Sequence, residues 1–553
     1  MNLFQFALII LGIGLISTAT FAARTYTFDG PPSQEVIENY LSRSMEYLGL
    51  CCESDSGPAP HFEDNVRLIL NTGSKFIGRA AYAWDCPKDD EKHFAVAAQN
   101  ARRLHELDPE LVLQACVFET TYSRAARGQN GYGVEDIPIP AWVFEEFGLP
   151  VEQRNFSYEG MLFPDGRSRD VWGPGASAPD ITRLETQLWF FYRAKRYIDA
   201  GYEAIHFGQA GWIGVGDTDH SVWAGLLARV RQYAAQHARR HWVFCDAHIA
   251  TAGINPCVEY NGVLLWDLVG FPLRPVEGFA PLSATLQVGW LDSLYQRVPG
   301  GRHPAGWECE ALPQYYALDN CQSGLSVGGG IFVWGADEST WFATLPETER
   351  NRWLAYAWQW IWENAPSGYL EMPGRRPAQT PVWAPTNWSY ILNTPSEACP
   401  EGFGQEETVK ALWADPRYAD NSTRPKPPTN QQILTSEPKL LLHWDFSKTE
   451  PTGDGALLIS NRAGEGFEGE LKRDTLERLT AVYQAFGAGA SAELRASAKT
   501  RLEEAERQLE GLFEEGTKGA AVRFDGKARA EALPSSELAP PALSVAQIGS
   551  ANA

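Results

Sequence analysis

The sequence predicts an α/β protein in which a parallel sheet closes into a (β/α)8 (TIM) barrel. A partial β-sandwich of jelly-roll type, carrying a helical hairpin insertion, follows it. Three observations lead there. Short runs of β-branched and aromatic residues recur between residues 76 and 335, and each ends in a polar or ionisable residue, as buried parallel strands do. Amphipathic segments of helix length separate them, in a βαβ rhythm that implies right-handed crossovers. Beyond residue 436 the pattern changes to strand-forming phrases broken by a charged helical stretch.

The barrel is expected over residues 24–376. An amphipathic helix, QEVIENYLSRSMEYL (34–48), precedes the first strand, FIGRAAYAW (76–84). EKHFAVAAQNARRLHEL (91–107) has apolar residues three and four apart and reads as a helix. The second strand, 111–119, is the run LVLQACVF, which stops at Glu119. SYEGMLF (157–163) is taken as the third. Ser177-Ala178-Pro179-Asp180 then opens a long helix to about residue 200, with Pro and Asp suited to a first turn. Strands four (202–207), five (241–246) and six (262–267) follow, with a helix at 219–239 between the first two. After a Gly- and Pro-rich insertion (271–313) come strand seven (314–319) and strand eight (330–335). A helix at 347–364 completes the layer, and GYLEMPG continues it. An open, doubly wound sheet is the competing topology.

Composition narrows the partners. The formal net charge is −22 and no basic stripe stands out, so nucleic acid is not expected. Residues 3–18 are apolar and lead to Thr20-Phe21-Ala22, which reads as a signal peptide (1–22) cleaved near Ala22. The expected locations are secreted, periplasmic or cell-surface, without stable membrane insertion after cleavage. The 20 Trp and 20 Tyr provide flat aromatic faces of the kind that stack on sugar C–H groups. Of the 9 Cys, Cys116 and Cys245 fall inside strands and read as buried thiols, while others near loops could be cross-linked in an oxidising compartment. With no CxxC pair and no zinc-ligand spacing, neither a structural metal nor a cofactor is expected.

In a parallel α/β barrel the C-terminal strand ends open on one face, and that face carries the chemistry. There the sequence offers Glu119, Asp246, Asp267, Asp319, Asp337 and Glu338. Glycosidic cleavage needs two carboxyl groups across a cleft, one neutral and one ionised. Glu119, Asp246, Asp267, Asp319 and Glu338 are therefore the catalytic candidates, Glu338 for the acid role among Trp334, Trp341 and Phe342. Each has an ordinary alternative as a helix cap or loop ligand. Trp84, His206, Gln209, His248, Asn320, Trp334, Asp337 and Trp341 are the expected substrate-binding residues. Arg79, Arg274 and the Arg375-Arg376 pair could clamp an acidic sugar, or bridge to this acidic surface instead. No phosphate-binding GK[ST] loop occurs.

Residues 377–435, rich in Pro and Asn, read as a linker or strap. From 436 to 553, the phrases LLLHWDFS, ALLISNRAGEGFEGEL and AAVRFDGKARAEAL resemble the opening strands of laminin-G and concanavalin A-like jelly rolls. The charged segment 473–515 is expected as a helical hairpin between two of those strands. The segment therefore reads as an incomplete sandwich and a poor candidate for a working lectin. Residues 70–375 resemble the catalytic barrel of secreted polysaccharide-degrading glycoside hydrolases, which often carry such an appendage. That resemblance implies hydrolysis of a carbohydrate substrate without a cofactor, and it assigns no catalytic residue. Two rivals stand beside it: a metal-dependent hydrolase using His206, Asp246 and His248, and a non-catalytic carbohydrate-binding surface protein.

Overall fold

The structure is a computed structural model. It describes residues 24–425 except 55–56, 59–60, 127, 129–130, 250–256, 278–282, 287–297, 322–336 and 380–386, together with four short strands between 450 and 533. The protein is of mixed α/β type, built on parallel sheets. The first strands are β1 (Ser44–Tyr47), β2 (Phe76–Tyr82), β3 (Val112–Cys116), β4 (Ala204–Gln209) and β5 (Phe244–His248). Next come β6 (Val269–Pro272), β7 (Gln314–Ala317), β8 (Gly368–Leu370), β9 (Met372–Gln379) and β10 (Asn387–Ile391). One sheet has the order β10-β9-β1-β2-β3-β4-β5, parallel throughout except for the β9–β10 hairpin. A second is the parallel trio β6-β7-β8.

The two sheets share a spine. Strands β8 and β9 are consecutive, separated only by Glu371, whose N–H donates to the Tyr316 carbonyl at 2.9 Å. One extended segment thus pairs with β7 at its start and with β1 further on. On the other side, the Asp267 N–H donates to the Cys245 carbonyl (2.9 Å), tying the approach to β6 onto β5.

Burial explains the sequence pattern. All seven residues of β2 and all five of β3 are buried, so both faces are covered and no alternation shows. Helices α1 (Gln34–Leu41), α2 (Phe62–Thr72), α3 (Asp90–Leu107), α4 (Leu184–Asp199) and α5 (Ser221–His237) join α6 (Glu338–Thr344), α7 (Glu347–Asn364) and α8 (Glu406–Ala414). In α5, Trp223, Leu226, Leu227, Val230 and Ala234 form one buried stripe at helical spacing. Phe76, Val112, Ala204 and Phe244, from the starts of four strands, gather with Leu268, Tyr315 and Tyr369 in a separate buried cluster. Val36, Ile37, Tyr40 and Leu41 of α1 complete that cluster. Helix α1 therefore plugs the N-terminal ends of the strands.

Several elements differ from expectation. The helix expected over 34–48 stops at Leu41, where the Ser42 hydroxyl donates to the Asn39 carbonyl (2.7 Å), and residues 44–47 form β1. A four-residue strand is too short to carry a period of its own. The segment 157–163 is not a strand. Ser157 caps a short helix, Tyr158–Met161, by accepting the Gly160 N–H at 3.0 Å. Residues 263–264 belong to a hairpin with 259–260, and the parallel strand is β6, after Asp267 rather than before it. The expected strand at 330–335 lies outside the described residues, whereas the GYLEMPG segment is itself a strand. Of the strap, β10 and α8 pack onto β9 and α2.

The segments expected as a signal peptide (1–22) and as a helical hairpin (473–515), and the 440–447 phrase, also lie outside the described residues. The four short distal strands, 450–451, 457–459, 521–525 and 529–533, pair antiparallel in chain order. All nine cysteines are free thiols, so none of the cross-links considered from the sequence forms. No helix among the described residues is long and apolar enough to cross a membrane.

Gly270, in β6, faces the Tyr315 ring of β7, and a Cβ there would overlap the ring. Gly270→Ala is expected to destabilise the fold by about 1–3 kcal/mol, the usual range for overpacking a full core. Urea unfolding midpoints will read it.

Candidate active site

The polar centre begins at a break in β2. The β2–β3 register shifts between Ile77 and Ala81, and there Arg79 adopts φ 50°, left-handed for a residue with a side chain. Its N–H leaves the ladder and donates to Gln114 Oε1 at 2.8 Å. The bulge aims the guanidinium at three groups. It is ion-paired with Asp319, lies 3.3 Å from Glu46 Oε1, and approaches His248 Nε2 at 3.4 Å. Arg376, from β9, also pairs with Glu46 and donates to the Asp319 backbone carbonyl, with Asp319 Oδ1 at 3.4 Å. Burial alone would raise the Asp319 pKa, but the Arg79 and Arg376 guanidinium groups outweigh it and hold this carboxyl well below the usual range. Asp319 is ionised.

A second group stands on β3, β4, β5 and β7. Asp246 is fully buried and takes hydrogen bonds from Gln114 Nε2 (2.8 Å) and the Tyr315 hydroxyl (2.9 Å). Its Oδ2 lies 2.7 Å from His206 Nδ1. With Asp246 as acceptor, Nδ1 of His206 is the donor of this bond. The other ring nitrogen, Nε2, is buried and has no hydrogen-bond partner among the described residues. The His206 ring meets His248 edge to face at 4.7 Å. Burial, the largest cause, pushes the His248 pKa well below its ordinary value, so this ring is neutral.

Glu119 follows β3. Its Oε2 accepts the Gln209 backbone N–H and its Oε1 accepts Gln209 Nε2, both at 3.1 Å. The approach is possible because Gly208 has φ +64° and no Cβ, which would collide with the Glu119 carboxylate. Burial raises the Glu119 pKa above its ordinary value, although hydrogen bonds and His206 work against it. Beside it, Thr120 donates to the Trp84 carbonyl at 2.6 Å. Trp84, Trp172 and Trp212 form a continuous edge-to-face row, with ring centroids 5.2 and 5.6 Å apart, and each remains partly exposed.

The structure therefore gathers Asp246, His206, His248 and Asp319 into one hydrogen-bonded group, with Glu119 and Gln209 beside His206. Asp267 stands apart from it. Arg231 (2.8 Å), the Trp242 indole (3.0 Å) and the Cys245 N–H (3.0 Å) occupy its carboxylate, because it precedes its strand instead of ending one. Glu338 is a bracket. Its Oε1 accepts Asp319 N–H, Asn320 N–H and Asn320 Nδ2, and its Oε2 takes Arg274 at 2.8 Å. These four donors occupy both oxygens of its carboxylate. Asn320 is thereby committed to Glu338, and Asp337 lies 3.5 Å from Arg274. Trp341 is buried against Trp353 at 5.1 Å and offers no platform, and Trp334 lies outside the described residues. Of the arginines considered as sugar clamps, Arg79, Arg274 and Arg376 serve carboxylates of the chain itself, and Arg375 donates to the Leu48 carbonyl at 2.8 Å.

Four site members escaped the sequence reading: Glu46, Gln114, Tyr315 and Glu371. Gln114 had a visible signal, since it is the only polar residue in the run LVLQACVF. Glu46 and Glu371 had none, because their strands were not recognised as such. These two acids lie buried together. Ser44 donates to Glu371 Oε1 at 2.7 Å, and burial, then the neighbouring Glu46, push Glu371 up to about 8.

No protein-family model matches the chain, and no curated protein is similar to it. Among solved structures, an alpha-galactosidase from Thermus thermophilus matches at TM-score 0.25 and 11% identity, over 45% of this chain and 47% of that one. A Nostoc punctiforme debranching enzyme matches at TM-score 0.23 and 7% identity, over 40% and 50%. AmyP, in complex with maltose, matches at TM-score 0.34 and 12% identity, over 78% and 86%. The matched part spans about half the length of the first two proteins. Similarity at this level identifies no family.

Glu371 also links stability to pH. An ordinary Glu loses its proton near 4.5, whereas the folded group keeps it to about 8, so between these values the folded chain binds more protons than the unfolded one. The contribution is fully present below the lower value and is lost as pH rises to the upper one. Stability should fall across that window by up to about 1.4 kcal/mol per pH unit, and Glu371→Gln should flatten the slope. Urea midpoints measured across the window will show it.

Proposed function

We propose that the protein is a glycoside hydrolase in which Glu119 is the proton donor and Asp319 the ionised partner. In this proposal the parallel strands of the two sheets close into one eight-stranded barrel. The shared segment β8–β9, the Asp267–Cys245 hydrogen bond and the cluster under α1 support that closure. The observation that carries the chemistry is the opposite displacement of two strand-end carboxyls. Burial drives Glu119 toward its neutral form, while Arg79 and Arg376 keep Asp319 charged. Two acids separated in this way can divide acid and nucleophile or base duties at one pH. Asp246, fully enclosed, orients His206 and does not meet substrate. The Trp84–Trp172–Trp212 row, beside Glu119, supplies partly exposed aromatic faces for pyranose rings. Export by the N-terminal apolar run and a carbohydrate-facing appendage beyond residue 436 belong to the same proposal.

The metal-dependent alternative is less well supported. Both Asp246 oxygens are already engaged, and the Arg79 guanidinium beside His248 repels a cation from the place where the three residues would share one. The non-catalytic binding alternative is decided by activity alone.

Turnover on a glycan panel followed by product chromatography tests the proposal. Glu119→Gln should lower kcat about 10²–10⁴-fold, the usual contribution of a general acid, with circular dichroism unchanged. Asp319→Asn should be at least as damaging. If both variants cleave an identified glycan at the wild-type rate, the assignment fails.

A further inference from the structure

Far along the chain from the proposed catalytic pair, three different metal-binding side chains meet. His61 immediately precedes α2. Cys399 and Glu401 lie in the turn between β10 and α8, on either side of Pro400. One donor atom from each, a ring nitrogen, a sulfur and a carboxylate oxygen, falls within 4.8 Å of the other two. His61 Nε2 is 2.8 Å from Glu401 Oε2. The Cys399 thiol is buried and makes no hydrogen bond among the described residues, while the Glu401 side chain is 63% exposed. His61 holds its position at φ 59°, and its side chain makes no cap for α2.

The surroundings are rigid and negative. Asn393 donates to Asp64 Oδ2 at 2.7 Å, and Arg67 bridges Asp64 and Glu406. Asn71 also donates to Glu406 at 2.6 Å. All of these bonds join the same two segments, α2 with its approach and the strap from β10 to α8. These bonds hold together the two segments that carry the three donors.

We propose that His61, Cys399 and Glu401 form a zinc site that staples the strap to α2. A thiolate with an imidazole and a carboxylate suits Zn²⁺, and hard cations such as Mg²⁺ or Ca²⁺ would not select a sulfur ligand. Tetrahedral zinc sets its ligand atoms about 3.3–3.8 Å apart, given its bond lengths. The donors reach that spacing if His61 and Glu401 separate slightly and the sulfur closes in. Binding requires the thiol proton to leave for solvent, so that Cys399 binds as thiolate, His61 through a neutral nitrogen and Glu401 as carboxylate. No oxidation state changes. Water takes the fourth position on the exposed side of Glu401.

The test uses the full chain, stripped with a chelator and titrated with Co²⁺ as a spectroscopic stand-in. A thiolate-to-cobalt charge-transfer band should saturate at one equivalent, Zn²⁺ should displace it, and Cys399→Ser should lack it. Zn²⁺ should raise the Tm of the wild type. Glu401→Gln changes an exposed side chain and keeps the fold, and it should weaken Zn²⁺ binding about tenfold or more. The proposal is overturned if no band forms by one equivalent or if the band persists in Cys399→Ser. It is equally overturned if Glu401→Gln binds Zn²⁺ as tightly as the wild type. Should Cys399→Ser not fold, His61→Gln and Glu401→Gln decide the question by the same binding measurement. None of these readings depends on glycosidase activity.

Discussion

Two guanidinium groups hold the centre of this protein together. Arg79 and Arg376 reach inward from β2 and β9 and share Glu46 and Asp319 between them, all four side chains being buried or nearly so. Buried charges are tolerated only when they are paired and hydrogen-bonded, and removing one partner from such a set typically costs about 3–5 kcal/mol. The pairing also dictates backbone geometry. Arg79 could not reach both acids from a regular strand, and the left-handed residue at the β2 bulge re-aims it. Gly78, next to it, has no Cβ because the Glu371 carboxylate occupies that space. A local backbone irregularity and a buried acid pair are therefore two sides of one arrangement.

From that centre the remaining polar groups acquire distinct electrostatic characters. Asp319 stays charged because two cations face it. Glu371 stays protonated because burial and Glu46 oppose its charge. Asp246 is surrounded by donors and orients the His206 ring. Glu119 sits further out, against Gln209, where burial raises its pKa. Carboxyl groups of the same chemistry differ in role because their neighbours differ. The bracket made by Glu338 belongs to the same logic. By accepting the N–H groups of residues 319 and 320, it fixes the turn that presents Asp319.

The strap contributes more than a connection. Its first strand extends the sheet at β9, and α8 lies on α2, with Arg67, Asp64, Asn393 and Glu406 linking the two. Linker-like composition, rich in Pro and Asn, therefore coexists with a packed and hydrogen-bonded segment.

The sequence by itself determined the α/β class, the parallel strands at 76–82, 112–116, 204–209, 244–248 and 314–317, and the outer helices. Buried two-faced strands and amphipathic helices write their burial directly into local composition. It also pointed to Glu119, Asp246, His206, His248 and Asp319, because an ionisable residue closing an apolar run is a local signal. Only the tertiary structure decided the rest. Strands 44–47 and 368–379 carry internal charges that make sense only when Arg79 and Arg376 arrive from elsewhere. Asp267 and Glu338 looked equivalent to Asp319, but which carboxylate keeps its charge, which brackets a turn and which stands aside depends on cations and amides far away in the chain. Long-range pairing is an interaction between distant positions, and no run of neighbouring residues records it.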